Sequence, residues 1–158
     1  MEIFTSTTVQ VHIASFNEEF DVYKFLTLKR SASEIIYPNL WQVVTGTVED
    51  GETAIQTAIR EVFEETGLKP LKIWNIPYIA SFFSWRKNTI NFAPVFGFLV
   101  DSQSQVKLSE EHQCYEWLYL DACLDRLLLP SHKQGTQIFF DVILNSENNS
   151  VFEITNSI

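Results

Sequence analysis

Six of the twenty acidic side chains fall between positions 49 and 65, namely Glu49, Asp50, Glu52, Glu61, Glu64 and Glu65, and only Arg60 opposes them. At about 100° per residue, positions 61, 64 and 65 share one arc of a helix. That arc borders the apolar stripe of Ala54, Ile55, Ala58, Ile59 and Val62, so the three carboxylates are expected to face one cleft. Like charges at this spacing destabilise a helix by a few tenths of a kcal/mol, roughly, for each pair. They are either tolerated in water or compensated by a cation. Oxygen-only ligands suit a hard divalent ion, Mg²⁺ or Mn²⁺. Taken alone, three such glutamates are most often a solvated face.

The flanking residues change that weighting. Gly46 and Gly51 allow the loop before the helix to turn tightly and bring backbone close to a ligand. Glu52 stands near the helix start and Arg60 two turns on, so a carboxylate–guanidinium bond could tie loop to helix and fix the loop carbonyls. On this reading Gly46, Glu52, Arg60 and the helix-ending Gly67 support the site, while Glu61, Glu64 and Glu65 hold the metal.

The elements that position these groups follow from periodicity. Thr53 and Gln56 form a capping box, and Gly67 followed by Pro70 is a stop, which predicts a helix over about 53–66. Residues 7–16 and 20–30 read as one hairpin, and 71–83 and 89–100 as a second with a polar Arg86-Lys87-Asn88 turn. Residues 31–40 read as a loop, 41–44 as a strand ending at Gly46, and 115–119 as a short strand. Segments 121–129 and 134–144 read as helices separated by Pro130. His12 is expected to point outward from its strand, and His132 has no partner pattern. The expected organisation is one domain over 1–145 and a loose tail over 146–158.

Composition bounds the partners. The 158 residues suit a single domain, no apolar run reaches the roughly eighteen residues of a membrane span, and the start Met1-Glu2-Ile3-Phe4-Thr5 shows no export pattern. A cytoplasmic location is expected. A net charge of −9 argues against a nucleic-acid polymer but leaves room for a small phosphate-bearing ligand bridged by cations. Cys114 and Cys123 are expected as two reduced thiols, and Asn148-Asn149-Ser150 as a chance glycosylation match. No serine sits in a nucleophile elbow, so covalent catalysis is not expected.

Gly46, five residues, Glu52, seven residues, then Arg60-Glu61-Val62-Phe63-Glu64-Glu65-Thr66-Gly67-Leu68 resembles the complete Nudix box. The resemblance implies an α+β fold, the Nudix α/β/α sandwich, with a mixed sheet between the box helix and the C-terminal helices. It implies Glu61 and Glu65 as metal ligands, Glu64 as a third ligand or water-orienting group, and the carbonyl of Thr45 as a further ligand. The general base is left among Glu61, Glu64 and a glutamate outside the box.

Two further stretches resemble the dihydroneopterin triphosphate and dATP pyrophosphohydrolase branch of that family. One is Trp41 to Ala54. The other is Ser109 to Leu118, where Glu111 aligns with a metal-binding glutamate and Glu110 is the fallback. Arg30 matches a phosphate-binding arginine, and Trp41 could stack a purine or pterin, although a Trp beside Val43 and Val44 is more often core. The resemblance implies Mg²⁺-dependent hydrolysis of a nucleoside or pterin triphosphate to a monophosphate and pyrophosphate, with Mn²⁺ as substitute. A dinucleoside polyphosphate (diadenosine tetraphosphate) hydrolase and a non-catalytic ligand-sensing module are the alternatives. Contacts to the base should lie in 70–101.

Overall fold

Alternating β-branched and aromatic residues in the first hundred positions have to bury two faces of a sheet, and the helical segments supply the cover. The computed structural model describes residues 7–154; the reading of Met1–Thr5 and the last four residues of the expected tail lie outside them. In chain order the elements are β1 (Thr8–Asn17), β2 (Val22–Arg30), β3 (Trp41–Gln42), β4 (Val44–Thr47) and α1 (Ala54–Thr66). There follow β5 (Lys72–Ser84), β6 (Thr89–Val100), β7 (His112–Leu118), α2 (Leu120–Arg126) and α3 (Pro130–Ile138). A π-helical stretch over Phe139–Leu144 and a 3₁₀ turn over Asn149–Phe152 complete the chain.

The sheet is mixed. β1 runs parallel to β6 and antiparallel to β2 and β4; β5–β6, β2–β3 and β2–β7 are antiparallel. β1 and β2 pair only over Ala14–Asn17 and Val22–Phe25 and then diverge. Beyond that point β1 takes β4 as its partner through Thr8 to Val11, while β2 takes β7 and β3. This divergence opens one end of the sheet. The single strand expected over 41–44 is accordingly two, broken at Val43, because Trp41–Gln42 follows β2 and Val44–Thr47 follows β1.

Each face carries its own core. Val9, Val11 and Ile13 pack with Ala58 and Val62 of α1 on one side. Ala14 and Phe25 pack with Cys123, Leu127, Phe139 and Ile143 of the C-terminal helices on the other. The sandwich expected from the sequence is therefore present. His12 is not outward: it is 1% exposed, because α3 covers the face that a one-sided sheet would have left to water. The described part of the expected loose tail is docked. Glu153 pairs with Trp74, and the Ile154 amide donates to the Ile73 carbonyl at 2.8 Å. Phe152 and Ile154 also pack on the two cores, which gives the segment an apolar reason to stay. Both cysteines are free thiols. Among the described residues no helix is long and apolar enough to cross a membrane.

Candidate active site

The site starts with how α1 is held. The Thr53 side chain accepts from the Gln56 amide, and the Gln56 side chain accepts from the Thr53 amide at 2.9 Å, the reciprocal cap expected from the sequence. At the other end Gly67 adopts φ 71°, a left-handed geometry that a side chain resists, and its amide closes on the Phe63 carbonyl at 2.8 Å. The Arg60 guanidinium binds Glu52 through two parallel bonds of 2.8 Å and donates to the Thr47 carbonyl at 3.0 Å. Loop and helix are thus clamped together. Arg60 also reaches Glu61 at 2.8 Å and Glu64 at 3.2 Å. Its hydrogen bonds hold the Glu52 carboxyl down at about 2.

β4 lies directly against α1 at one point. A Cβ built on Gly46 would stand 2.1 Å from Cγ of Glu61, so only glycine lets the strand approach this side chain. Behind Glu61 lies Glu65, 3% exposed, with an Oε2 that meets no hydrogen-bond donor among the described residues. Burial, followed by the neighbouring charges of Glu111 and Glu61, raises the Glu65 carboxyl to about 10. Burial also raises Glu61, against the pull of Arg60. Glu65, Glu111 and His112 can each offer one ligand atom within 4.8 Å of the others.

A buried acid that is this costly to ionise, with an oxygen lacking any donor, fits a site that takes a cation. His112 was not among the residues expected to act; its place next to Glu111 was the available signal. Burial lowers its imidazole to about 4, its Nδ1 has no hydrogen-bond partner among the described residues, and its Nε2 lies 2.9 Å from the Gln42 amide nitrogen.

A cavity of about 760 Å³ lies at the open end of the sheet. Arg30, Thr45, Gly46, Glu61, Glu65 and Glu111 all line it. Arg30 donates to Glu111 at 3.1 Å, to Glu34 at 3.1 Å and to the Ile36 carbonyl at 2.9 Å. Two expected residues stand elsewhere. Glu64 is exposed and pairs with Arg60, because about 100° of helix separates it from Glu65. Trp41 is absent from the lining: alternation along β3 sends Gln42 to the cavity, and the Trp41 ring instead carries the Arg126 guanidinium 4.4 Å from its centre. The cavity wall contains several residues with no sequence signal, among them Gln10, Phe82, Phe83 and His132.

Comparison with known proteins identifies the family of the fold. The pig bis(5'-nucleosyl)-tetraphosphatase [asymmetrical] is 36% identical over 88 residues, covering 52% of this chain and 58% of that one. The Escherichia coli (strain K12) dihydroneopterin triphosphate diphosphatase is 68% identical over 28 residues, covering 18% of this chain and 19% of that one. The chain therefore spans little more than half, or less, of these curated relatives. The structure of the E. coli dihydroneopterin triphosphate pyrophosphohydrolase aligns with a TM-score of 0.67 and 26% identity, over 90% of this chain and 100% of that one. The NUDIX domain family matches residues 7–139, most of the chain, and the protein belongs to that family.

Proposed function

We propose that the protein is a divalent-metal-dependent hydrolase that cleaves a nucleoside or pterin triphosphate to a monophosphate and pyrophosphate. The observation that carries this reading is Glu65, a buried carboxyl with an unmet oxygen, placed beside Glu61 and Glu111 in a cavity that also holds Arg30. The similarity to the dihydroneopterin triphosphate enzyme over nearly the whole fold supports the triphosphate class.

Glu61, Glu65 and Glu111, with the Thr45 carbonyl, would hold the ion, and His112 stands beside them with its Nε2 accepting from the Gln42 amide. Mg²⁺ or Mn²⁺, when bound, supplies phosphate-charge neutralisation and a lowered pKa for the attacking water. The remaining work belongs to side chains. Arg30 is mostly buried and aimed by the Ile36 carbonyl, so its guanidinium can position the phosphate chain against the protein's negative field. Glu111 is half-exposed, and its Oε2 has no partner among the described residues, which suits it to accept the proton of the water. Arg60 neither meets substrate nor moves a proton. It holds Glu61 and the Thr47 carbonyl in place, with Glu52 as its anchor. Glu64, on the solvent side, becomes a lesser contributor.

A second reading, dinucleoside polyphosphate hydrolysis, is favoured by the 36% identity to the pig tetraphosphatase. Incubation with dihydroneopterin triphosphate, dATP and diadenosine tetraphosphate separates the two. Pyrophosphate release from the triphosphates supports the first reading. Turnover of the tetraphosphate alone supports the second, and turnover of none rejects both.

A further inference from the structure

Beneath the cavity, on the α3 side of β1, runs a chain of buried polar groups whose donors and acceptors can be assigned one by one. Thr136 Oγ1 lies 2.9 Å from the His132 carbonyl, which can only accept, so the hydroxyl donates there. His12 Nδ1 lies 3.0 Å from the same hydroxyl and must therefore donate to it. Burial holds the His12 imidazole down at about 3, so the ring is neutral and its Nε2 is an acceptor. Gln10 Nε2 lies 2.8 Å from that Nε2 and 3.0 Å from the Ser131 carbonyl, two acceptors that take both amide hydrogens.

The orientation of the Gln10 amide is therefore fixed by its partners. Its Oε1 accepts from no group among the described residues, although Gln10 is only 3% exposed and lines the cavity. The backbone of α3 presses on this pair from behind. A Cβ on Gly135 would stand 2.3 Å from His12 Nε2 and 2.8 Å from Gln10 Nε2.

We infer that Gln10 is a specificity residue: its locked carboxamide oxygen accepts an N–H from the ring of the substrate, selecting a base or pterin that carries an amino group at that edge. This rests on the cavity being the substrate site, as proposed above. The oxygen cannot be exchanged for the NH₂ end by rotation without leaving His12 Nε2 and the Ser131 carbonyl facing an acceptor in the interior. A ring presenting a carbonyl to Gln10 meets the same repulsion, and one presenting a bare C–H leaves the oxygen unmet. Exposed Phe82 and Phe83, on β5, line the same cavity and offer faces for the ring.

The test compares rings with and without one amino group: ATP with purine riboside triphosphate and GTP with ITP, where hydrogen replaces it, and pterin with lumazine, where a carbonyl replaces it, the last two as free-ring competitors of turnover. Wild-type protein is expected to favour the amino member of at least one pair by about tenfold or more, in KM or inhibition constant and not in kcat. In Gln10→Leu and Gly135→Ala that preference should fall to within about threefold. The ratio is internal to each protein, so a folding defect that lowers both activities leaves it unmoved. If Gln10→Leu does not fold, the wild-type ratios and Gly135→Ala still decide. Equal handling of both members of all three pairs by wild-type protein overturns the inference, as does full preference retained in a folded Gln10→Leu. Absence of any triphosphate turnover overturns instead the reading on which the inference rests.

Discussion

Gly46 and Glu61 share a boundary with no room for one more carbon: a Cβ on the glycine would stand 2.1 Å from Cγ and 2.8 Å from Oε1 of the glutamate. The contact fixes where β4 meets α1 and so where the Glu61 carboxylate points. Gly46→Ala should displace that carboxylate while the cap, the Glu52–Arg60 clamp and both cores stay in place. Turnover is expected to fall on the order of a hundredfold, the scale of a misplacement of about 1 Å in a catalytic constellation. Circular dichroism and steady-state kinetics on the same sample check it; near-wild-type activity would show that Glu61 is not held by this contact.

Metal-free stability should depend on pH through Glu65. A carboxyl raised from 4.5 to about 10 on folding takes up a proton as the chain folds. Its contribution is therefore fully present below about 4.5 and is lost as pH rises toward about 10. In EDTA the Tm is expected to decline between pH 6 and pH 9, and saturating Mn²⁺ to reverse most of that decline. Glu65→Gln should flatten the EDTA profile. A wild-type Tm that is level across this range in EDTA contradicts the assignment.

The buried histidines act in the opposite direction. His12 and His132 are lowered from 6.5 to about 3 and about 4, in each case by burial first. Their neutral forms contribute stability that is present above 6.5 and lost as pH falls toward about 4 for His132 and about 3 for His12. In NMR spectra neither ring should titrate between pH 8 and pH 5. A midpoint near 6.5 for either would show the packing around α3 to be looser than described.

Trp41→Leu provides a check on the substrate path. The ring lies under Arg126 and outside the cavity lining, so KM is expected to change less than about twofold. Loss of a base-stacking ring would instead cost about 1–3 kcal/mol, about fivefold or more in KM.

What the sequence disclosed and what it hid follow physical lines. The helix from Thr53 and both long hairpins were legible because cap chemistry, the Gly67 stop and period-two alternation are local signals. The break at Val43 was not, because it arises when neighbouring strands exchange partners. His12 looked outward because alternation gives the face of a residue but not what covers that face. Periodicity likewise put Glu61, Glu64 and Glu65 on one arc without showing where along it the cavity opens, so Glu64 was counted with its neighbours. Glu111 and Arg30 entered through resemblance. His112 and Gln10 owe their places to contacts across 70 and 121 positions, which no local pattern records.

The most direct test sets wild-type protein beside Glu65→Gln in one assay, pyrophosphate release from dihydroneopterin triphosphate or dATP in Mg²⁺. Wild-type protein is expected to release pyrophosphate in a metal-dependent manner, and a folded Glu65→Gln to be at least about a hundredfold slower. Equal rates from the two proteins would contradict the account at its centre.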